Sequence, residues 1–317
     1  MTSKRDHGGG VDAAVARWGG RRADWLDLST GINPMAYPVG NISPDAWAML
    51  PDQGAMDRLI AAARVFWKVP AKAEILAGPG ASAFIARMPW LVPPQDVYIP
   101  APTYNEHSAA FRGAWGDRVS GTNQAAAVHV YVHPNNPDGH WWPDMIVDRR
   151  DLTVIDESFC DVAPERSHMA QADRQGVVIL KSFGKFWGLA GGRLGFAIGL
   201  PETLGPLSDH LGPWAVSGPV LEIGARALAD EAWADATRRR LTEDAARLDD
   251  LAKRAGWHVV GGTSLFRLYQ VSDADDWQDR LARRRILSRI FPYSQNWIRL
   301  GLPGSKEDWQ RLAEALA

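Results

Sequence analysis

The sequence contains a single cysteine, Cys160, among 317 residues. An internal disulfide needs two cysteines, so the chain is expected to fold in a reducing compartment. No apolar run approaches the ~18 residues that a membrane-spanning helix needs. The first ten residues, MTSKRDHGGG, lack the apolar segment of a secretory signal. These absences together predict a cytoplasmic protein without a membrane partner.

An excess of charge of one sign is also absent. Lys and Arg number 35 and Asp and Glu number 37, which leaves a net charge of −2 and no basic surplus for nucleic acid. The eight histidines are scattered without the spacing of metal ligands. Of these, His129 and His133 fall on a predicted strand rather than on one face of a helix. The sequence therefore predicts neither a nucleic-acid partner nor a metal site.

The chain is long and apolar enough for a large domain and a smaller one, since 46% of its residues are hydrophobic. Strands, loops and helices alternate in the pattern at 74–199, which is typical of a mostly parallel sheet covered by helices. A long helical pattern from about 220 to 256 precedes paired strands and further helices, which indicates a small α+β domain. We therefore predict an α/β fold with an N-terminal arm at 1–45, a large domain at 46–219, and a bridging helix with a small domain at 220–317.

The segment VVILKSFGKFWGLAGGRLGFAIG at 177–199 combines two apolar strand-like runs with a Gly-rich turn between them. Ser182, Lys185 and Arg193 lie where the first strand ends, the edge at which open α/β sheets bind ligands. Lys185 is either a solvated lysine or, when partly desolvated, a nucleophilic amine. Arg193 is either a surface ion-pair partner or a ligand for a phosphate dianion.

The run S-F-G-K-F-W-G-L-A-G-G-R-L-G resembles the lysine segment of fold type I pyridoxal-phosphate enzymes, the aspartate aminotransferase superfamily. This resemblance implies that the cofactor is pyridoxal 5'-phosphate and that Lys185 binds its aldehyde covalently. It also implies that Ser182 and Arg193 hold the cofactor phosphate. Members of the superfamily usually pair as homodimers, and a homodimer is expected here.

Other elements of the superfamily follow in the expected order. Gly80, Ala81 and Ser82 stand between a strand and a helix, where free N–H groups favour an anion, and resemble the first cofactor loop. The resemblance implies that Tyr104 of P-T-Y stacks on the pyridine ring. It further implies that Asn136 of N-N-P-D-G donates to the phenolate oxygen of the cofactor. Helix-start packing and a plain turn are the alternative interpretations of these two residues.

Asp156 ends a predicted buried strand, LTVID, and a buried carboxylate needs a cationic partner. The resemblance implies that this partner is the protonated ring nitrogen, which keeps the ring an electron sink. His107 either stands behind the ring or packs at a helix start. Phe159 occupies the place where the superfamily often has a tyrosine on the phenolate oxygen, which leaves that contact to Asn136.

The N-terminal segment H-G-G followed by D-L-S-T-G-I-N-P resembles, more narrowly, the threonine-phosphate decarboxylase branch of cobalamin biosynthesis, as does D-E-S-F-x-D-x-x-P-E-x-S at 156–167. The substrate-side residues implied by the two resemblances are His7, Gly31, Asn33 and Arg299. In this interpretation Arg299, within W-I-R-L-G-L, binds the α-carboxylate of the substrate. Alternatively, His7 belongs to a disordered terminus and Arg299 is a structural arginine on a sheet face.

The activity implied is decarboxylation of L-threonine O-3-phosphate, an amino-acid phosphate, to (R)-1-amino-2-propanol O-2-phosphate. An aminotransferase resembling histidinol-phosphate aminotransferase is the alternative, because it shares the cofactor motifs and also handles a phosphorylated substrate. A third interpretation is a non-catalytic aminotransferase-like regulator. We expect no added DNA-binding domain of that kind, because the cofactor motifs begin early in the chain.

Overall fold

The structure of the protein is a computed structural model that describes residues 6–144 and 150–317. The chain divides into two compact units. Unit 1 comprises Met1–Met35, Pro137–Gly139 and Thr237–Ala317, and unit 2 comprises Ala36–Asn136 and His140–Ala236.

The elements of the described residues are numbered in chain order. The strands are β1 Leu26–Asp27, β2 Glu74–Gly78, β3 Val97–Tyr98, β4 Val119–Ser120, β5 Val128–Val132, β6 Leu152–Asp156, β7 Val177–Ser182, β8 Gly195–Gly199, β9 His258–Thr263, β10 Phe266–Gln270, β11 Ile286–Leu287, β12 Arg289–Phe291 and β13 Ser294–Gly301. The α-helices are α1 Val11–Trp18, α2 Pro44–Ala48, α3 Gln53–Phe66, α4 Ala81–Ile85, α5 Asn105–Trp115, α6 Pro201–Leu211, α7 Gly218–Leu228, α8 Glu231–Arg254, α9 Ala274–Arg283 and α10 Lys306–Leu316.

Unit 2 is built on a seven-stranded sheet in the order β2-β8-β7-β6-β5-β3-β4. Strand β8 runs antiparallel to β2 and β7, and the other neighbours pair in parallel. The central strands β5, β6 and β8 are buried along their whole length. This burial is what the near-continuous apolar runs predict for a sheet covered on both faces. The expected mostly parallel α/β sheet is confirmed.

The topology brings several chain segments to one edge of this sheet. Because β2 and β7 are both antiparallel to β8, they run in the same direction as each other and as β5 and β6. Gly195, the first residue of β8, pairs with Gly78 on one side and with Ser182 on the other. The loops that follow β2, β5, β6 and β7 therefore meet the loop that precedes β8, at the edge where open α/β sheets bind ligands.

The core of unit 2 fixes the position of that edge. Phe84 of α4, Phe111 of α5 and Leu207 of α6 are fully buried in one cluster with the sheet residues Val130 and Val154. Full burial of each such side chain stabilises the fold by about 1.5–3 kcal/mol. The helices α4, α5 and α6 are thereby held against the sheet.

The single helix predicted from about 220 to 256 is two helices in the structure, α7 and α8. Asp230 lies between them, and its Oδ1 accepts a hydrogen bond from the backbone N–H of Trp233 over 2.9 Å. An aspartate in this position caps the start of a new helix, because it satisfies an N–H that has no partner within the helix. The continuous apolar periodicity concealed this break.

Unit 1 contains a four-stranded antiparallel sheet in the order β12-β13-β10-β9 and a parallel pair formed by β1 and β11. Its last helix, α10, begins with a capping box between Ser305 and Asp308. The expected small α+β architecture is confirmed. Across the described ranges, no helix is both long enough and apolar enough to span a membrane.

Candidate active site

A cavity in unit 2 lies at the sheet edge where these loops meet. Its lining residues are Ala81, Ser82, Ile85, Tyr104, Val132, Asn136, Asp156, Ser158, Phe159, Ser182, Lys185 and Arg193. Every residue that the sequence predicts for cofactor binding is in this set except Gly80, which lies against Arg193. The structure therefore brings together segments more than 100 residues apart, as the contact between Ser82 and Arg193 (111 positions) shows.

One part of the cavity is rich in hydrogen-bond donors. The Nη2 atom of Arg193 donates to Ser82 Oγ over 3.0 Å, and its Nη1 donates to the Ala190 carbonyl over 3.2 Å. Gly80 has φ +85°, which glycine adopts readily, and a Cβ there would lie 2.6 Å from Nη2 of Arg193 and displace the guanidinium. Ser182 adds a second hydroxyl to the lining. A guanidinium and two hydroxyls suit the oxygens of a phosphate group.

Another part of the cavity carries a buried carboxylate. Asp156 is 2% exposed, and its Oδ2 lies 2.8 Å from His107 Nε2. Its Oδ1 accepts hydrogen bonds from the backbone N–H of Ser158 over 3.0 Å and from Ser158 Oγ over 2.5 Å. Burial acts to raise the pKa of Asp156, but the bonds from His107 and Ser158 outweigh it and hold this pKa below its usual value. The carboxylate is therefore ionised.

His107 holds the carboxylate of Asp156 through one ring nitrogen, Nε2, which lies 2.8 Å from Oδ2. Its other nitrogen, Nδ1, is buried and has no hydrogen-bond partner within the part of the chain that the structure describes. A cationic ligand group, such as a protonated pyridine nitrogen, would compensate the buried negative charge of Asp156.

Lys185 lies in the turn between β7 and β8 and faces an aromatic side chain. Its Nζ is 5.4 Å from the ring centroid of Phe159, which is 5% exposed. The turn is held by Trp187, which is fully buried and stacks on Phe183 and on Trp233 at centroid distances of 5.2 and 5.3 Å. This packing places the amine of Lys185 in the cavity, beside an apolar ring that excludes water.

Tyr104 and Asn136 line the cavity and lie on two different loops. Asn135, which precedes Asn136, joins these two loops. Asn135 Oδ1 accepts a hydrogen bond from Thr103 Oγ1 over 2.6 Å, and its Nδ2 donates to the Pro102 carbonyl over 3.0 Å. The loop before α5 is thus tied to the loop after β5. The sequence predicted a role for Asn136 and missed Asn135, although both stand in the same N-N-P-D-G turn.

A buried ion network that the sequence did not indicate lies behind the cavity. Lys181 Nζ is 2.7 Å from Glu157 Oε2 and 3.3 Å from Asp161 Oδ1, and the three side chains are at most 5% exposed. Burial acts to lower the pKa of Lys181, but the two carboxylates outweigh it and raise this pKa. Ser167 Oγ donates to Glu157 over 2.6 Å. Glu157, Asp161 and Ser167 of D-E-S-F-x-D-x-x-P-E-x-S therefore form a scaffold with Lys181, which local spacing alone does not reveal.

The ligand atoms of His133, Glu157 and Cys160 also lie within 4.8 Å of one another in this scaffold. His133 Nδ1 accepts from the backbone N–H of Trp142 over 3.1 Å, and its Nε2 pairs with the Arg166 carbonyl at 2.8 Å. Burial lowers the pKa of His133 to about 4 and raises that of the Cys160 thiol well above its usual value. Both ring nitrogens of His133 are engaged, so a metal ion would have to displace hydrogen bonds that hold the scaffold.

The other four predicted residues, His7, Gly31, Asn33 and Arg299, belong to unit 1. Arg299 is 6% exposed and donates from Nη2 to the Ser29 carbonyl over 2.8 Å. Burial, followed by the charge of Arg289, lowers the pKa of Arg299 to about 10. Oδ1 of Asn33 accepts hydrogen bonds from Arg240 Nη2 over 2.7 Å and from the backbone N–H of Met35 over 3.1 Å.

Arg289 is a further candidate that the sequence analysis missed. It stands on β12 directly opposite Arg299 on β13, so the two guanidinium groups leave the same face of the sheet. Arg289 lines a cavity of about 280 Å³ in unit 1 together with Asp6 and the exposed His7. In the sequence the two arginines flank a short hairpin. Their position opposite each other becomes evident only once the register of that hairpin is known.

The comparison with known protein families decides the classification. The model of the family "Aminotransferase class I and II" matches residues 46–316 of this chain. The chain belongs to this family. This match confirms the resemblance to the aspartate aminotransferase superfamily that the sequence motifs indicate.

Within the class I and II aminotransferase family, two relatives are similar over nearly their whole length. A threonine-phosphate decarboxylase of Sinorhizobium sp. is 38% identical, covering 100% of this chain and 99% of the relative. A threonine-phosphate decarboxylase of Pseudomonas aeruginosa is 37% identical, covering 98% and 97%. Histidinol-phosphate aminotransferase 3 of Mesorhizobium japonicum is 26% identical, covering 92% and 88%.

Solved structures share the fold of this chain. A histidinol-phosphate aminotransferase of Sinorhizobium meliloti, solved in complex with pyridoxal-5'-phosphate, superposes with a TM-score of 0.79 at 19% identity, covering 99% of this chain and 94% of that one. A histidinol-phosphate aminotransferase of Clostridium acetobutylicum superposes with a TM-score of 0.81 at 18% identity, covering 92% and 98%. At these identities the likeness establishes the fold.

Proposed function

We propose that this protein is a pyridoxal-phosphate-dependent L-threonine O-3-phosphate decarboxylase that makes (R)-1-amino-2-propanol O-2-phosphate for cobalamin biosynthesis. The observation that carries the proposal is the identity of 37–38% to two threonine-phosphate decarboxylases over nearly the whole chain. Histidinol-phosphate aminotransferase relatives are 26–28% identical to this chain.

The cavity of unit 2 supports the cofactor assignment. Arg193, Ser82 and Ser182 offer donors for a phosphate group, and Asp156 offers a buried, ionised carboxylate. Tyr104 would stack on the ring and Asn136 would donate to its phenolate oxygen. When bound, pyridoxal phosphate supplies an electron-withdrawing ring that stabilises the negative charge left on the substrate carbon.

Lys185 has two tasks in this proposal. Its Nζ would hold the cofactor covalently before the substrate binds. After the substrate releases CO2, the same Nζ can deliver the proton that the product carbon needs, so that substrate and one proton give product and CO2. The ring of Phe159, 5.4 Å from Nζ, shields this amine from bulk water.

Two arginines in unit 1 suit a substrate with two anionic groups. Arg299 would bind the α-carboxylate through its planar fork of donors. Arg289, opposite it on the neighbouring strand, would bind the phosphate of the same substrate. Roles of His7, Gly31 and Asn33 on the substrate side remain part of the proposal.

The test is turnover in the absence of a keto acid. The purified holoenzyme is incubated with L-threonine O-3-phosphate, and CO2 and aminopropanol phosphate are measured. Sustained release of both supports the decarboxylase, and Lys185→Ala should abolish it. Recovery of the cofactor as pyridoxamine phosphate, with turnover only after a keto acid is added, would contradict the decarboxylase and support the histidinol-phosphate aminotransferase alternative, whose fold this chain shares.

We further propose that the protein is a homodimer. In unit 2 the large apolar side chains of Trp47, Met49 and Leu50 are 66–71% exposed on and just after α2. They border a groove of about 490 Å³ whose lining includes Met49 and Leu50. Exposed apolar groups concentrated in one short segment mark a protein interface. Sedimentation equilibrium should give twice the chain mass of 34.8 kDa, and a monomer at micromolar concentration would contradict the proposal.

A further inference from the structure

Arg289 is engaged by the N-terminal arm of its own chain. Its Nη1 forms an ion pair with the carboxylate of Asp6, and its Nη2 donates to the Asp6 carbonyl over 3.0 Å. The Arg289 side chain is 13% exposed, whereas that of Asp6 is 41% exposed. The guanidinium assigned above to the phosphate of the substrate is thus already occupied by an accessible carboxylate.

We propose that Asp6 is an internal competitor for Arg289, which every anion that uses this arginine must displace. The inference rests on the proposed function, which assigns the substrate phosphate to Arg289. Asp6 offers Arg289 one carboxylate oxygen, one backbone carbonyl oxygen and a single charge, whereas a phosphate dianion brings three oxygens and a second charge. The substrate phosphate therefore displaces Asp6, which pairs with Arg289 until the substrate binds.

The residues that follow Asp6 are anchored independently of Arg289. The backbone N–H of Gly9 donates to Ser29 Oγ over 2.7 Å, and a Cβ at Gly8 would lie 2.4 Å from the Ser29 carbonyl oxygen. Gly9 has φ +83°, a conformation that glycine adopts readily. The same Ser29 carbonyl accepts the bond from Arg299. The two glycines are therefore anchored at Ser29, beside Arg299, and Asp6 precedes this anchored stretch.

An internal competitor weakens the binding of ligands that need Arg289 and leaves the binding of other ligands unchanged. If Asp6 occupies Arg289 in about nine of ten molecules, the apparent dissociation constant of any ligand that needs Arg289 rises about tenfold. Inorganic phosphate has Arg289 as its main contact and becomes a poor inhibitor. The proposed substrate keeps useful affinity, because Arg299 binds its carboxylate as well. A ligand without phosphate, such as L-threonine, is unaffected.

The experiment compares Asp6→Asn with the wild-type holoenzyme. The holoenzyme is used because the cofactor phosphate already fills the donors around Arg193. Calorimetry in a buffer without competing anions gives the dissociation constant for inorganic phosphate, and initial rates give KM for L-threonine O-3-phosphate. The asparagine keeps the shape of the side chain and removes its charge. Both constants should fall about tenfold, and kcat/KM for L-threonine should stay unchanged.

The matched control is Asp12→Asn. Asp12 also lies near the start of the chain and forms an exposed ion pair with Arg22 over 2.6 Å, away from Arg289. This variant should match the wild type in both constants. The double variant Asp6→Asn, Arg289→Met should lose the gain in phosphate affinity, because the gain needs the guanidinium.

Three results would overturn the proposal. If the dissociation constant for inorganic phosphate is unchanged in Asp6→Asn, the ion pair between Asp6 and Arg289 is a surface contact without effect on binding. If this constant is higher in Asp6→Asn, Asp6 positions Arg289 for its ligand. If the gain in phosphate affinity persists in the double variant, inorganic phosphate binds at a site other than Arg289. Phosphate binding does not require turnover. A wild type that binds phosphate as expected but releases no CO2 would therefore refute the proposed function and leave the competitor intact.

Discussion

Asp156 and His107 form a buried hydrogen bond of 2.8 Å between Oδ2 and Nε2, although 49 positions separate them in the chain. The backbone N–H and Oγ of Ser158 donate to the other carboxylate oxygen of Asp156. The pKa of Asp156 lies below its usual value, so the cavity offers an ionised carboxylate to a cationic ligand group.

Removing this charge should impair catalysis more than removing one of its hydrogen bonds. We expect Asp156→Asn to lower kcat for CO2 release by about 100-fold or more at saturating cofactor, because the amide cannot stabilise a protonated ring nitrogen. Ser158→Ala is the matched control, because it removes the Oγ bond of 2.5 Å and leaves the carboxylate in place. Similar activity of the two variants would contradict the charge argument.

A tyrosine at position 159 should change the ionisation of the bound cofactor. Phe159 lines the cavity and faces Lys185, so a phenol there can donate to the phenolate oxygen of the cofactor. A hydrogen bond to the ionised form favours that form. The pH midpoint of the visible absorbance of the lysine-bound cofactor should therefore move about one pH unit lower in Phe159→Tyr. Phe159→Leu should not lower this pH midpoint. A lower midpoint in Phe159→Leu would indicate that altered packing, rather than the phenol, causes the change.

The scaffold around Lys181 should respond strongly to loss of its cation. Lys181→Met would leave Glu157 and Asp161 buried without their shared partner, which lies 2.7 and 3.3 Å away. Breaking such a buried pair lowers the free energy of unfolding by about 3–5 kcal/mol. Urea denaturation measures this loss. Adding Glu157→Gln to Lys181→Met should restore part of the stability, and no restoration would mean that packing rather than charge dominates.

His133 should make the fold sensitive to mild acid. Its pKa is about 4 in the folded chain, below the ordinary value of 6.5. Between these values the unfolded chain binds a proton that the folded chain does not, so the free energy of unfolding decreases as pH falls from 6.5 towards 4. The full loss from this group is about 3 kcal/mol.

The measurement is urea denaturation of His133→Gln between pH 4.5 and 7.5. Glutamine does not titrate, so the variant should show a flatter decline in stability towards acid than the wild type. His210→Gln changes an exposed histidine and should leave the wild-type slope unchanged. A variant at position 133 that retains the full wild-type slope would assign the acid sensitivity to other groups.

The sequence predicted the fold and the family because the relevant signals are local. The apolar runs at β6, β7 and β8, the Gly-rich turn with Lys185 and the glycine at the start of α4 are each readable from a few neighbouring residues. The break between α7 and α8 was missed, because the apolar period continues across it and only the cap at Asp230 marks the new helix.

What the sequence by itself determined was which side chains stand at the ends of the strands, since strand ends and turns follow from local propensity and apolar pattern. Only the tertiary structure decided which of them meet: Asp156 with His107, Arg193 with Ser82, and Lys181 with its two carboxylates. The same holds for Arg289, whose place opposite Arg299 follows from hairpin register and whose contact with Asp6 joins positions 283 apart. Such partners are fixed by strand pairing and by the burial of charge, and both depend on residues distant in the chain.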